Sequence, residues 1–172
     1  LTPAWALVLN DFEQPRQLDQ WSCVSSGTSS LNAQRSVLAA FQGNWGVRLL
    51  WQIGDSGQVV WERRFPIMED FSGGELSFKV KPVGEFPQGL IISVKTSYGD
   101  FLFGPVKLEK DRWQAVKLDL GQLGLAAGAV ASIGLRYAGT ERGLYTLFVD
   151  DIQLRYDPAA RRVNLQETLL AN

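Results

Sequence analysis

The chain holds no histidine and a single cysteine, Cys23, so its reactive chemistry is left to carboxylates, tyrosines, lysines and arginines. That excludes a Ser-His-Asp triad, a Cys-His pair, a histidine-ligated zinc and an internal disulfide. A glycosidase needs two carboxylates facing one groove, about 5–5.5 Å apart for retention or about 6.5–9.5 Å for inversion. Glu62, Asp100 and Asp119 could supply such a pair, yet none stands in a motif. A lyase could use Tyr98 with Lys95 or Arg136, again without a motif.

Non-covalent recognition has more to work with. A sugar ring presents a face of C–H groups that stacks on an aromatic plane, flanked by hydroxyls that want polar partners. Trp45 sits between Gly43-Asn44 and Gly46, which makes it loop-borne and the best candidate for an exposed platform. Tyr98, Asp100, Arg136, Tyr137 and Tyr145 form a second constellation. Trp51 and Trp61 flank the Gly54-Asp55-Ser56-Gly57 turn. If that turn closes a hairpin, the two rings are cross-strand neighbours, and the apolar residues of their parity (Val47, Leu49, Ile53, Val59) make them core.

These side chains are carried by short alternating runs separated by turn residues, the pattern of an all-β fold, a two-sheet antiparallel β-sandwich. The expected strands are Ala6–Leu9, Ser36–Ala40, Val47–Ile53, Val59–Phe65, Glu75–Lys81, Leu90–Thr96, Phe101–Val106, Gln114–Leu118, Ile133–Tyr137 and Leu144–Arg155. Tyr98-Gly99-Asp100 and Gly139–Gly143 are expected to close two further hairpins. Gly121–Ala131 reads as one helical turn or a loop. Period two puts Leu76, Phe78 and Val80 on one face and Ser77, Lys79 and Lys81 on the other; Val116, Leu118 and Leu120 oppose Lys117 and Asp119 in the same way.

With 172 residues the chain makes one domain, expected over 1–156, with 157–172 as a tail or linker. The formal net charge of -1 speaks against nucleic acid, which requires a basic face. No apolar run reaches the eighteen residues that would span a membrane, and LTPAWALVL reads as a first strand rather than a signal peptide. Scarce cysteine is compatible with an extracellular, secreted location. If Lys79, Lys81, Lys95, Lys107 and Lys117 shared a sheet face, an acidic glycan such as a polyuronate would become attractive; otherwise they are solvated lysines that discourage aggregation.

NDFE at 10–13, Trp21, FSGGELSFKVKP at 71–82, RWQAVKLDL at 112–120, ASIGLRY at 131–137 and VDDIQL at 149–154 occur in this order. Together they resemble the jelly-roll carbohydrate-binding modules of the galactose-binding-like superfamily, over about Val8 to Tyr156. The resemblance implies a structural calcium joining the first and last strands, with Glu13 and Asp150 as side-chain ligands and Asp11 and Asp151 in reserve. Carbonyls from the end of the first strand and from Gln42-Gly43-Asn44 would complete it. Carboxylates gathered where two strand ends meet would repel one another without a cation. The other reading has Glu13 capping a turn and the aspartates ending a strand in water. The resemblance also implies that Trp21 and Trp113 pack against the sheet, and that Asp100 and Arg136 can grip a glycan chain.

Fold does not fix function. The leading expectation is a non-catalytic module that binds polysaccharide or oligosaccharide, a β-glucan or other plant or algal glycan, and serves an appended catalytic domain of a larger secreted enzyme. A protein-interaction or assembly domain on the same fold is the alternative, and a catalytic jelly roll, hydrolase or lyase, the third.

Overall fold

The computed structural model describes residues 5–156; the expected tail at 157–172 lies outside the described residues. Among the described residues eleven strands run in the order β1 Trp5–Asn10, β2 Trp21–Ser25, β3 Ser30–Ser36, β4 Gly46–Ile53, β5 Val59–Glu69, β6 Gly74–Val83, β7 Leu90–Thr96, β8 Gly99–Val106, β9 Gln114–Asp119, β10 Val130–Tyr137 and β11 Gly143–Tyr156. They form two antiparallel sheets. The six-stranded sheet has the order β3-β4-β11-β6-β9, with β1 also on β11; the five-stranded sheet has the order β2-β5-β10-β7-β8. This is the two-layer β-sandwich that alternation predicts.

Alternation also builds the core. Val47, Leu49, Trp51 and Ile53 of β4 and Leu76, Phe78 and Val80 of β6 are buried, as are Val116 and Leu118 of β9. From the five-stranded sheet come Trp61, Ile92, Val94, Ile133 and Leu135. Trp21 stacks on Trp61 with centroids 4.0 Å apart.

Two of the expected hairpins are instead crossings between sheets. Gly54–Gly57 joins β4 to β5, and Gly139–Gly143 joins β10 to β11, and each pair of strands is divided between the two layers. Trp51 therefore pairs with Leu31 and Tyr145, while Trp61 pairs with Cys23 and Leu135. Both rings are fully buried, but they reach the core from opposite sheets. Of the three expected hairpins, the β7–β8 connection at Tyr98 does form one. Sequence reasoning missed β2 and β3, and Ser36–Ala40 holds a 3-10 turn at Val37–Ala39 instead of a strand. Leu120–Gly128 forms 3-10 turns, which fills the expected short helical segment.

Candidate functional site

Two places gather the side chains singled out above: a carboxylate recess at the meeting of β1 and β11, and the outward face of the five-stranded sheet.

The recess, about 370 Å³, is lined by Asp11, Glu13, Gln42, Gly43, Asp150, Asp151 and Gln153. It contains all four acids expected there and no basic side chain. Its shape follows from a bulge in β11 between Asp150 and Gln153, where the register on β6 shifts. Asp151 lies in the left-handed region at φ 52°, and Phe12, beside Glu13, at φ 59°. Such residues cost about 1–3 kcal/mol each and persist where surroundings over-determine them. Gly43 is favoured by its φ of 72°, which side-chain-bearing residues rarely adopt, and a Cβ there would also displace the Glu13 carboxylate.

The acids are held by backbone amides. Glu13 Oε1 accepts from the N–H groups of Asn44 and Trp45 at 2.8 and 2.9 Å. These bonds lower the Glu13 pKa. Asp150 Oδ2 accepts from Phe41 and Gln42 at 2.8 and 3.1 Å, and its Oδ1 from Asp151 at 2.7 Å. Asp150 is 1% exposed, and burial raises its pKa despite these donors. Arg35 occupies the carbonyls of Phe12 and Glu13 at 2.9 and 3.0 Å. Asp11 Oδ1 accepts from Glu13 N, and Asp151 Oδ1 from Gln153 Nε2. The Asn44 side chain also bonds the Glu13 carboxylate, while one oxygen each of Asp11 and Asp151 is left without a protein donor among the described residues. Hard carboxylate oxygens beside amide carbonyls suit calcium chemically. Among the described residues, no three acidic side chains are close enough to form a ready-made ligand cluster.

The outward face of the five-stranded sheet is set by register. One row runs Ser22–Glu62–Gly134–Ser93–Leu102, the next Arg64–Ser132–Lys95–Asp100. Arg136 stands on the same face two residues beyond Gly134 and donates to Gln58 Oε1 at 3.0 Å. Tyr98, 67% exposed, borders the face at the hairpin tip. Asp100, Arg136 and Tyr98 are thus brought to one surface.

The other predicted contacts are placed elsewhere. Tyr137 is 5% exposed and stacks on Tyr145 at 4.1 Å, inside the sandwich end beside Phe86. Tyr145 is half-buried, with its hydroxyl on the Glu141 carbonyl. Trp45 is half-buried beside the recess, and the Arg35 guanidinium covers one face of its ring at 4.2 Å from the centroid. Trp113 is also half-buried and meets Phe41 edge-on at 5.3 Å, outside the core cluster, whereas Trp21 belongs to it. Of the five lysines, only Lys95 lies on this face; Lys79, Lys81 and Lys117 project from the six-stranded sheet, on β6 and β9, and Lys107 follows β8.

Sequence reasoning weighed Glu62 only as one of three candidate hydrolytic carboxylates and passed over Arg64. Parity could have found both, because Trp61 points inward and Glu62 and Arg64 then share the outward side. Glu62 is not disposed as a hydrolytic acid: its Oε1 is paired with Arg64 Nε at 3.2 Å and Lys95 Nζ at 3.5 Å. Asp119 is in the other sheet, accepting from Gly121 N.

No protein-family model matches the chain, and neither does any curated protein. Solved structures do. A family 11 carbohydrate-binding module of the cellulosomal cellulase Lic26A-Cel5E of Clostridium thermocellum aligns over 91% of this chain and 97% of its own, at TM-score 0.68 and 15% identity. A structure of a family 11 module from Clostridium thermocellum in complex with a β-1,3-1,4-mixed-linked tetrasaccharide aligns over 88% of this chain and 95% of its own, at TM-score 0.65 and 15% identity. A β-1,2-glucanase from Parabacteroides distasonis aligns over 78% of this chain but only 23% of its own, at TM-score 0.60 and 16% identity. The chain resembles carbohydrate-binding modules in fold, and its two antiparallel sheets form a jelly-roll sandwich of that kind.

Proposed function

We propose that the chain is a non-catalytic carbohydrate-binding module. It holds an appended catalytic domain of a larger secreted enzyme on polysaccharide, a β-glucan or another plant or algal glycan. The observation that carries this reading is the gathering of Asp100, Arg136 and Tyr98 with Glu62, Arg64 and Lys95 on one solvent-facing sheet surface of a module-like fold. Charged groups that donate and accept side by side match vicinal sugar hydroxyls. Tethering then raises the effective concentration of substrate at the catalytic domain.

Calcium is part of the proposal. Glu13 and Asp150 would hold it between the β1 end and β11, with Asp11 and Asp151 adding oxygens, and it would neutralise four acids lining one recess. Bound there it supplies charge compensation and rigidity, no reaction step.

Affinity electrophoresis against soluble β-glucans, mannans, xylans and uronate polymers tests the binding, with Arg136→Ala and Tyr98→Ala alongside. Retardation in at least one gel, weakened by Arg136→Ala at unchanged melting temperature, is expected. No retardation in any gel would overturn the reading in favour of an interaction domain.

A further inference from the structure

Glu62 is the anomaly of the outward face. Parity points it to solvent, yet it is 2% exposed, and its Oε2 is buried without a hydrogen-bond partner. Its cover is a pair of cations. Arg64 comes from two residues along β5, and Lys95 reaches over β10 from β7. The space for that crossing is left by the small residues Ser132, Gly134 and Ser93. A side chain at Gly134 would meet Ser93 Oγ and Val60 Cγ1 at 2.6 Å each.

A buried carboxylate is costly unless its partners are well fixed. Here it fixes theirs: two long side chains, 69% and 43% exposed, are tied at their polar ends to one oxygen. Holding them in place in the free protein reduces the rotamer entropy that a ligand's binding must overcome. Arg64, Lys95 and Arg136 against Glu62 and Asp100 leave this surface net positive, although the whole chain is net negative. Asp100, the cross-strand neighbour of Lys95, is exposed on the edge strand β8. No aromatic side chain lies in either row, and Tyr98 only borders the face. Without a ring platform, stacking cannot supply most of the binding, and charge must.

From this geometry we infer that the outward face selects an acidic glycan, with Arg64 and Lys95 as the carboxylate-binding pair and Glu62 as the residue that positions them. This rests on the glycan-binding reading above and narrows its substrate class. The other basic stripe, on the outward face of the six-stranded sheet, has no ion pair for Lys81 or Lys117 among the described residues, so the test must separate the two faces.

The probes are polygalacturonate and its full methyl ester, which share a backbone and differ in charge, with a mixed-linked β-glucan as the neutral reference. Binding to the free acid but not the ester is expected. It should weaken as salt rises, and by roughly tenfold in Arg64→Gln or Lys95→Gln, the size of a lost charge-assisted hydrogen bond, with Lys95→Arg partly restoring it. Lys81→Gln/Lys117→Gln should bind as the parent does. Equal retention of acid and ester, or of the neutral glucan alone, would overturn the acidic assignment and leave the glycan reading standing. Retention of none, across the wider panel, would remove both. Acid binding lost in Lys81→Gln/Lys117→Gln but kept in Arg64→Gln would assign the ligand to the other face.

Discussion

Trp21 Nε1 donates to Asn10 Oδ1 at 2.7 Å, and that contact links the last residue of β1 to the first residue of β2 across the two sheets. Asn10 is fully buried. The same Oδ1 accepts from Arg63 Nη1 at 3.1 Å, and its Nδ2 donates to Gln20 Oε1 at 3.0 Å. One amide therefore satisfies an indole and a guanidinium from the five-stranded sheet while anchored in the six-stranded one. Asn10→Ala leaves both donors without this acceptor, and a loss of about 2–4 kcal/mol is expected on thermal or denaturant unfolding. Trp21→Phe keeps the stack on Trp61 and removes only the indole donor. The double variant should lose about 1 kcal/mol less than the sum of the singles. Strict additivity would show that the bond contributes nothing.

The crossing from β4 to β5 depends on Gly57. Its φ is 92°, and a side chain there would sit on the carbonyl oxygen of Ser26. That carbonyl belongs to the neighbouring turn, which Gln58 and Ser56 hold by backbone bonds to Ser26 and Thr28. Gly57→Ala must move backbone rather than a flexible side chain, so a loss of about 2 kcal/mol or more is expected. Gly84→Ala is the control, because φ there is also positive, at 78°, but nothing lies within 4 Å of the added carbon. If both variants unfold at one temperature, the steric part of the argument fails.

Alternation was readable wherever a strand buries one face, which is why β4, β6 and β9 and their core residues followed from period two. The strands that escaped are edges. β2 buries only Trp21, and β3 presents no fully buried residue, so neither carries an apolar rhythm. Turn residues announce a reversal but not which layer the chain enters next, and two of the three supposed hairpins proved to be crossings between sheets. The site was legible in the same partial way. Asp100 and Arg136 could be placed on polar positions, but the Glu62–Lys95 pair depends on β10 lying between β5 and β7, an order no local pattern encodes. Tyr137 was misjudged as accessible because its partner in burial, Tyr145, comes from the other sheet.

Tyr137 gives an alkaline test. Its hydroxyl is buried beside Tyr145 and Gln88, and burial, with the Tyr145 side chain, pushes its pKa well above the ordinary tyrosine value. A group with a raised folded-state pKa contributes stability that is complete below its unfolded pKa of about 10 and is lost as pH rises past it. Unfolding free energy should therefore fall above pH about 10, and the fall should be shallower in Tyr137→Phe. At neutral pH that variant should stay within about 1 kcal/mol of the parent, because it loses one buried hydroxyl while keeping the stack on Tyr145. An ultraviolet titration in which all four tyrosines of the chain ionise together near pH 10 would contradict it.

The carboxylate recess gives the last test, and it separates a metal from a purely structural cluster. Asp150 has two jobs under the calcium proposal: accepting from the Phe41 and Gln42 amides, which it does with or without an ion, and ligating the cation. Loss of stability in Asp150→Ala alone would not distinguish them. The discriminating quantity is the calcium-dependent increment, the rise in melting temperature when calcium is restored to the EDTA-treated protein. An ion that binds only the folded state stabilises it by about 2.7 kcal/mol at a hundredfold excess over its Kd, a shift of several degrees for a domain of this size. Glu13→Gln should keep the shape of the loop while weakening the ion's hold, so its increment should shrink toward zero while its EDTA-treated melting temperature stays near that of the parent. If the parent itself shows no increment, the four acids are held by backbone and side-chain donors without an ion, and the recess is a structural joint between β1 and β11.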